Sequence, residues 1–143
     1  MNDPIAILKR DHREVAAMLK ELDSSKPGAK RRKTTDKLVT SLTKHMKIEE
    51  GLLYPLIAER VGKDDEHEAE IEHGLARDGL SKLTELVDEP GFGAAVAMVT
   101  AGIKHHVKEE ETEVFPKLKA KLDRDELVEL GDAVAAAKKS RSN

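Results

Sequence analysis

The chain contains a His-x-x-x-Glu-Glu-x-x-x-aromatic-Pro motif twice, at residues 45–55 and again at residues 106–116. Side chains four residues apart lie on one face of an α-helix, so each motif presents an imidazole and a carboxylate together. These groups supply nitrogen and oxygen ligands that many divalent metals accept. Two such helices facing each other would build a two-metal site, and this requirement limits the folds that the chain can adopt.

The repeat extends beyond the motif. His12 and His73 are separated by the same interval as His45 and His106, and an acidic residue precedes each of the first two, Asp11 and Glu72. Each half of the chain is therefore predicted to be a helical hairpin, with one histidine on its first helix and His-x-x-x-Glu on its second. Two such hairpins packed together form a four-helix bundle.

Charged residues make up 37% of the 143 residues and aromatic residues only 2%, and no segment shows the alternation of a strand. Caps and turn signals predict helices over about residues 4–23, 34–61, 64–87, 91–121 and 124–138. We expect an all-α, up-down-up-down four-helix bundle over residues 1–121. A short fifth helix and a basic tail should follow over residues 122–143, packed on the bundle or extending it.

The fifth predicted helix carries a narrow apolar stripe, Leu127, Leu130 and Val134, behind a capping box at residues 123–126. It would cover one end or side of the bundle in a monomer, or alternatively support a dimer. The locally basic segments at residues 30–33 and 138–141 are expected to be solvated loop or tail.

Apolar residues of the four long helices recur at spacings of three and four, which defines an inward-facing stripe on each helix. The stripe continues through Leu52 and Leu56 on the second helix and through Val114 on the fourth. At about 1.5 Å of rise per residue, the polar residues that interrupt it all come to one level of the bundle. These residues are His12, His45, Glu49, His73, His106 and Glu110.

Two carboxylates in a buried stripe are costly, because an unpaired ionised carboxylate loses several kcal/mol of solvation even after relaxation. The layer itself has no lysine or arginine, and Arg77 falls just beside it. A cation bound among the six side chains would offset the cost, so the sequence predicts a metal site. Because the chain has no cysteine, its ligands would be nitrogen and oxygen.

Residues beside the layer allow several roles. Glu50 and Glu111 follow the two glutamates and would orient the histidines, serve as auxiliary ligands or remain solvated. Tyr54 and Phe115 are expected to pack in the core and wall the site. The Tyr54 hydroxyl is a weaker candidate for a ligand, a proton donor or a catalytic group.

The remaining histidines are less suited to the site. His67 is expected on the surface, and His105 points about 100° away from its neighbour in a helix, which leaves its participation open. Glu70 and His73 have the Glu-x-x-His spacing of ferritin-like di-iron proteins. Those proteins need two such motifs, and both repeated motifs here begin with histidine, so a ferritin-like site is disfavoured.

The duplicated pattern over residues 4–121 resembles the hemerythrin-like, or HHE cation-binding, domain family. The residues that carry the resemblance are His12, His45-x-x-x-Glu49 with Tyr54-Pro55, His73, and His106-x-x-x-Glu110 with Phe115-Pro116. The resemblance implies a bundle around two non-haem iron ions joined by an oxo, hydroxo or water bridge, with no further cofactor. It also implies the ligand assignment: His12 and His45 on one iron, His73 and His106 on the other, and Glu49 and Glu110 bridging.

The chain departs from the oxygen-carrying members of that family. Arg77 stands where they have a further histidine, and His-x-x-x-Glu replaces their final His-x-x-x-x-Asp. Each iron would therefore have two histidines and up to two open octahedral positions. This favours a protein that binds or reacts with O2, H2O2 or NO, with catalase-like peroxide breakdown as its enzymatic form. The alternatives are a redox or oxygen sensor without turnover, and a structural metal such as zinc.

Other partners are not indicated. The net charge of −3 comes from interspersed acids and bases, which gives no electrostatic argument for nucleic acid. No apolar run reaches the roughly 18 residues of a membrane span, and the first residues do not read as a leader. We expect a cytoplasmic protein with a role in oxidative stress.

Overall fold

The computed structural model describes residues 2–140, so Met1 and residues 141–143, including Arg141 of the basic tail, lie outside the described part. The helical elements are α1 (Pro4–Asp23), α2 (Ala29–Ile48), the first π turn (Glu49–Leu53), α3 (Tyr54–Arg60), α4 (Lys63–Glu85), α5 (Phe92–Glu109), the second π turn (Glu110–Val114), α6 (Phe115–Lys121) and α7 (Arg124–Lys139). Each π turn joins two α-helices into one rod. Four rods form the predicted helical bundle, with α7 as the short fifth helix. Residues 2–140 contain no β-strand.

Side-chain caps begin the first and last helices as the sequence predicts. Asp3 accepts hydrogen bonds from the backbone N–H groups of Ile5 and Ala6. At α7 the side chains of Asp123 and Glu126 each accept from the other residue's backbone N–H, which confirms the capping box.

One predicted helix start and one predicted helix cap are wrong. α2 begins at Ala29 and not near residue 34, because Gly28, with a φ of 146°, ends the preceding turn. α4 begins directly after Gly62, with a φ of 157°, so Asp64 lies in its first turn instead of capping it. The basic residues 30–33 are consequently helical and not a loop.

Arg31 in that segment is buried and not solvated as expected. Its guanidinium donates to the carbonyl of Ser25 at 2.6 Å and to that of Val87 at 3.2 Å. It also lies 4.3 Å from the centre of the Phe92 ring. Arg31 therefore ties the turn between α1 and α2 to the turn between α4 and α5.

The apolar core consists of two clusters. The first lies toward the turns after α1 and α4 and includes Leu19, Leu38 and Leu83. The second lies toward α3 and α6 and includes Leu8 and Ile57. Along each rod the predicted polar residues fall between these clusters, so apolar packing surrounds the level at which they lie. None of the helices in the described residues has the length and apolar character needed to cross a membrane.

The π turns shift the inward-facing stripe by one residue. Beyond Glu49 the fully buried residues are Leu53 and Ile57, whereas the predicted Leu52 and Leu56 are only partly buried. A π turn accommodates an extra residue, which a regular spacing of three and four does not anticipate. At the second π turn Phe115 is buried, as expected, whereas Val114 of the predicted stripe is only partly buried.

Helix α7 covers the side of the first hairpin. Leu130 and Val134 are buried in the second core cluster, as their stripe predicts. The backbone at Gly131 approaches residue 2 so closely that an added Cβ would lie 1.8 Å from the Asn2 carbonyl oxygen. Lys138, expected in a solvated tail, instead lies in α7 and donates to Asp11 Oδ1 at 2.8 Å.

We predict that Gly131→Ala lowers the free energy of unfolding by about 1–3 kcal/mol, because the new methyl group must push α7 away from residue 2. Gly74→Ala in α4 is the matched control, since an added Cβ there meets nothing within 4 Å. It should stabilise the helix by about 0.5–1 kcal/mol. Thermal melts of the metal-free proteins measure both; equal melting temperatures for the two variants would contradict the close approach.

Candidate metal centre

The six predicted residues converge between the two core clusters. One group, His12, His45, Glu49 and Glu110, and a second group, Glu49, His73, His106 and Glu110, each place one ligand atom per residue within 4.8 Å of the others. Glu49 and Glu110 belong to both groups. We call the six residues the histidine–glutamate layer. Glu49 is 0% exposed and Glu110 is 2% exposed, so the layer is closed to bulk solvent at its centre.

Each glutamate directs one carboxylate oxygen to each half of the layer. Glu49 Oε2 lies 3.2 Å from His45 Nε2, and its Oε1 lies 2.9 Å from His73 Nε2. Glu110 Oε1 lies 3.2 Å from His12 Nε2, and its Oε2 lies 3.2 Å from His106 Nε2. The two carboxylates therefore stand between two pairs of imidazoles, and each faces both pairs.

Several atoms of the layer are buried without a hydrogen-bond partner. They are the Nε2 atoms of His12, His45 and His106, Oε2 of Glu49 and both oxygens of Glu110. Buried polar atoms are nearly always satisfied in proteins, because each unsatisfied group costs about 1–3 kcal/mol. Cations among these atoms would satisfy them together. A set of imidazole nitrogens and carboxylate oxygens suits iron, manganese or zinc, so the residues present fit a metal centre.

The opposite nitrogen of each imidazole is tied to a carboxylate. The Nδ1–H groups donate as follows: His12 to Glu111 at 2.6 Å, His73 to Glu50 at 2.8 Å, His45 to Asp11 at 2.8 Å and His106 to Glu72 at 2.5 Å. This contact fixes the ring orientation and keeps the proton on Nδ1, which turns Nε2 toward the layer. It favours the orienting role among those considered for Glu50 and Glu111. The same role for Asp11 and Glu72 was missed, although the two acids are related by the repeat.

The layer has an approximate two-fold symmetry that Tyr54 breaks. Its buried hydroxyl lies 2.8 Å from His73 Nε2. Burial, together with the nearby charges of Glu49 and Glu110, raises the pKa of Tyr54, so the phenol stays protonated. Phe115, at the equivalent position, stacks on His12 with ring centres 6.1 Å apart. Both aromatics wall the site as expected, but only Tyr54 brings a proton donor into it.

Arg77 does not enter the layer. Its guanidinium donates to Glu50 Oε1 at 2.7 Å, and the other oxygen of Glu50 holds His73. Arg77 thus supports a histidine indirectly. His67 is exposed as predicted, and His105 also points outward, with 64% of its side chain exposed.

An apolar cavity of about 410 Å³ reaches the layer from the surface between α4 and α5. All four histidines of the layer line it, and its remaining walls are mainly aliphatic, including Leu42, Val99 and Ile103. Leu75, 66% exposed, and Met98, 76% exposed, lie at its outer end. Small neutral molecules therefore have a largely apolar route to the histidines, with Glu72 as an acidic residue in its lining.

Without metal the layer is an array of ion pairs. Burial lowers the pKa of His45, but the charge of Glu49 and the hydrogen bond to Asp11 outweigh it and raise the pKa to about 10. The carboxylates of Glu110 and Glu49 likewise overcome burial at His106 and raise its pKa to about 11. Despite its complete burial, the pKa of Glu49 is held well below its ordinary value by His45 and the other imidazoles.

We predict that metal binding releases one proton from each of His45 and His106 at pH 7, because a metal displaces the Nε2 proton. Titration calorimetry in buffers of different ionisation enthalpy measures this release.

The raised pKa values of His45 and His106 also stabilise the metal-free fold below pH 6.5, and that contribution is lost as pH rises toward about 10. The melting temperature should therefore fall across this range without metal and change less with it. Metal uptake without proton release would contradict the assignment.

Comparisons with known proteins bear on this geometry. A family profile described as the hemerythrin HHE cation binding domain matches residues 3–118. The crystal structure of a hemerythrin HHE cation binding domain-containing protein from Mycobacterium kansasii, an Rv2633c homolog, is 26% identical with a TM-score of 0.82, covering 95% of this chain and 85% of its own. A protein named DNA nickase from Nostoc sp. is 24% identical over 133 residues. These are 92% of this chain but only 38% of that relative's length.

Proposed function

The chain belongs to the hemerythrin HHE cation-binding domain family, and on that premise we propose that its histidine–glutamate layer holds two non-haem iron ions that bind or react with small oxidants. His12 and His45 would hold one ion and His73 and His106 the other. The observation that carries the proposal is the sharing of Glu49 and Glu110 between both groups of ligand atoms. A single-metal site would not need two carboxylates that each face both pairs of imidazoles.

Iron bound there supplies Lewis-acid and redox chemistry toward O2, H2O2 or NO. The protein contributes a route for the reactant and fixes the orientation of the imidazoles. The apolar cavity admits small neutral molecules, and the carboxylates at the four Nδ1 atoms hold the imidazoles in place. The oxygen carriers of the family have a histidine at the position of Arg77. Here the Arg77 guanidinium donates a hydrogen bond to Glu50 instead, so that position provides no ligand for the metal. Two histidines for each iron leave coordination positions for a reactant, which supports peroxide breakdown over simple oxygen storage.

The direct test mixes iron-loaded protein with H2O2 and follows oxygen evolution. We expect turnover in the natural protein and none above background in the double variant His45→Ala, His106→Ala, which removes one imidazole from each proposed iron. His67→Ala is the matched control, because His67 is exposed and paired with Glu66 outside the layer. Equal oxygen evolution by the natural protein and the double variant would contradict the enzymatic proposal.

Tyr54 is the residue of this chain that we expect to supply a proton near the reactant. Its hydroxyl is protonated, buried and adjacent to His73 Nε2. Tyr54→Phe should lower peroxide turnover on the order of 100-fold while iron content stays unchanged. Phe115→Tyr is the control, since it adds a hydroxyl at the equivalent position and keeps Tyr54. Loss of one iron in Tyr54→Phe would instead mark the tyrosine as a ligand.

A sensor without turnover is the second candidate, and one contact favours it. Lys138 of α7 donates to Asp11 Oδ1, and Asp11 Oδ2 accepts from His45 Nδ1. A change of charge at the metal would therefore change the strength of the ion pair between Asp11 and Lys138, which anchors α7 to α1. Amide hydrogen exchange in α7 would then differ between oxidised and reduced protein, and Lys138→Met should abolish the difference. The same exchange in both redox states would count against the sensor.

A further inference from the structure

A third group of metal-ligating side chains lies on the surface beside the layer. Glu72 of α4 and His105 and Glu109 of α5 place one ligand atom each within 4.8 Å of the others. His105 Nε2 is 3.2 Å from Glu109 Oε1 and 3.5 Å from Glu72 Oε2. The other oxygen of Glu72 accepts from His106 Nδ1. Glu72 therefore faces the layer with one oxygen and the surface with the other.

Comparison with the symmetry-related residue shows that the outer oxygen of Glu72 lacks a lysine partner in the part of the chain that the structure describes. Asp11 is its equivalent in the first half of the repeat. Asp11 holds His45 with one oxygen, and its outer oxygen accepts from the Lys138 ammonium at 2.8 Å. That cation comes from α7, which packs mainly on the first half. At Glu72 the corresponding oxygen meets His105 and a second carboxylate, a combination that leaves negative charge to be neutralised.

A small pocket beside this group is lined by two of its three members, Glu72 and Glu109. It has a volume of about 30 Å³, and a water-sized species needs roughly 10–15 Å³. Its acidic lining residues are Asp65, Glu68, Glu72, Glu109, Glu110 and Glu113. Glu110 is 2% exposed, and both its oxygens lack hydrogen-bond partners. Glu110 thus lines the inner end of this pocket, while its two oxygens face the Nε2 atoms of His12 and His106 in the layer.

Like charges also crowd this surface. Glu68 and Glu109 both line the small pocket, so their carboxylates repel each other there. Lys117 at the rim approaches Asp65 no closer than 3.8 Å. A divalent cation between α4 and α5 would relieve the repulsion and take the place that the Lys138 ammonium has in the other half.

We propose that Glu72, His105 and Glu109 form a third, solvent-accessible site for a divalent cation of the Mn²⁺, Fe²⁺, Co²⁺ or Zn²⁺ class. One imidazole and two carboxylates suit these ions, and water completes the coordination. The site differs from the buried pair in exposure: it exchanges with solvent, and its ion is the weakest held of the three. It stands beside the pocket that leads to Glu110, which places a cation next to the buried centre.

The test titrates the metal-free 143-residue chain with Co²⁺ by calorimetry, with the visible absorption of bound Co²⁺ as a second readout. We expect three equivalents in the natural protein and two in the double variant His105→Ala, Glu109→Gln, which leaves the layer untouched. The control variant His67→Ala removes an exposed histidine of α4 that has an adjacent glutamate, and it should still bind three equivalents of Co²⁺. The same number of Co²⁺ equivalents in the natural protein and in the double variant would overturn the proposal.

The same titration separates this site from the buried pair. If the two-iron proposal fails but the surface site exists, the natural protein binds an equivalent that His105→Ala, Glu109→Gln removes and that His45→Ala, His106→Ala keeps. If the surface site fails alone, the second double variant loses Co²⁺ and the first loses none.

Discussion

Two carboxylates at the centre of a helical bundle are the constraint on which the structure depends. Glu49 and Glu110 are almost fully buried, and leaving them ionised without counter-charge would cost several kcal/mol each. Four imidazoles surround them, and a further carboxylate holds the outer nitrogen of every ring. The apolar clusters above and below fix the height of this layer. The fold is therefore arranged to concentrate ligands, and its stability is coupled to what occupies them.

The departures from two-fold symmetry distinguish the two halves chemically. His73 has a phenol at its Nε2 and an arginine behind its orienting glutamate, whereas His12 has a phenyl ring beside it. The other two histidines also differ. Asp11, which holds His45, pairs with the Lys138 ammonium, whereas Glu72, which holds His106, has no lysine partner among the described residues and lies near His105. A duplicated hairpin thus gives two groups of ligand atoms with the same residue types and different surroundings. If each group holds an iron ion as proposed, the two ions would differ in reactivity, with proton supply on the His73 side.

Much of this arrangement could be predicted from residue spacing, because helical geometry converts an interval of three or four into a shared face. The constant sequence interval between the two halves identified His12 and His73 as equivalent residues. It also related Asp11 to Glu72, but it did not indicate which side chains these two acids contact. Their contacts cross between helices, which no local spacing specifies. The π turns were also unforeseen, so Leu53 and Ile57 replaced the expected core residues. The burial of Arg31 was also unforeseen, because one of its partners is the carbonyl of Val87 in a turn that is distant in the sequence.

Anomalous X-ray diffraction at the iron absorption edge, from crystals of the iron-loaded protein, tests the central claim most directly. The account predicts two iron peaks in the layer. One should be bound by Nε2 of His12 and His45 and the other by Nε2 of His73 and His106, with Glu49 and Glu110 each contributing an oxygen to both. A single peak, or iron bound outside these six residues, would contradict it.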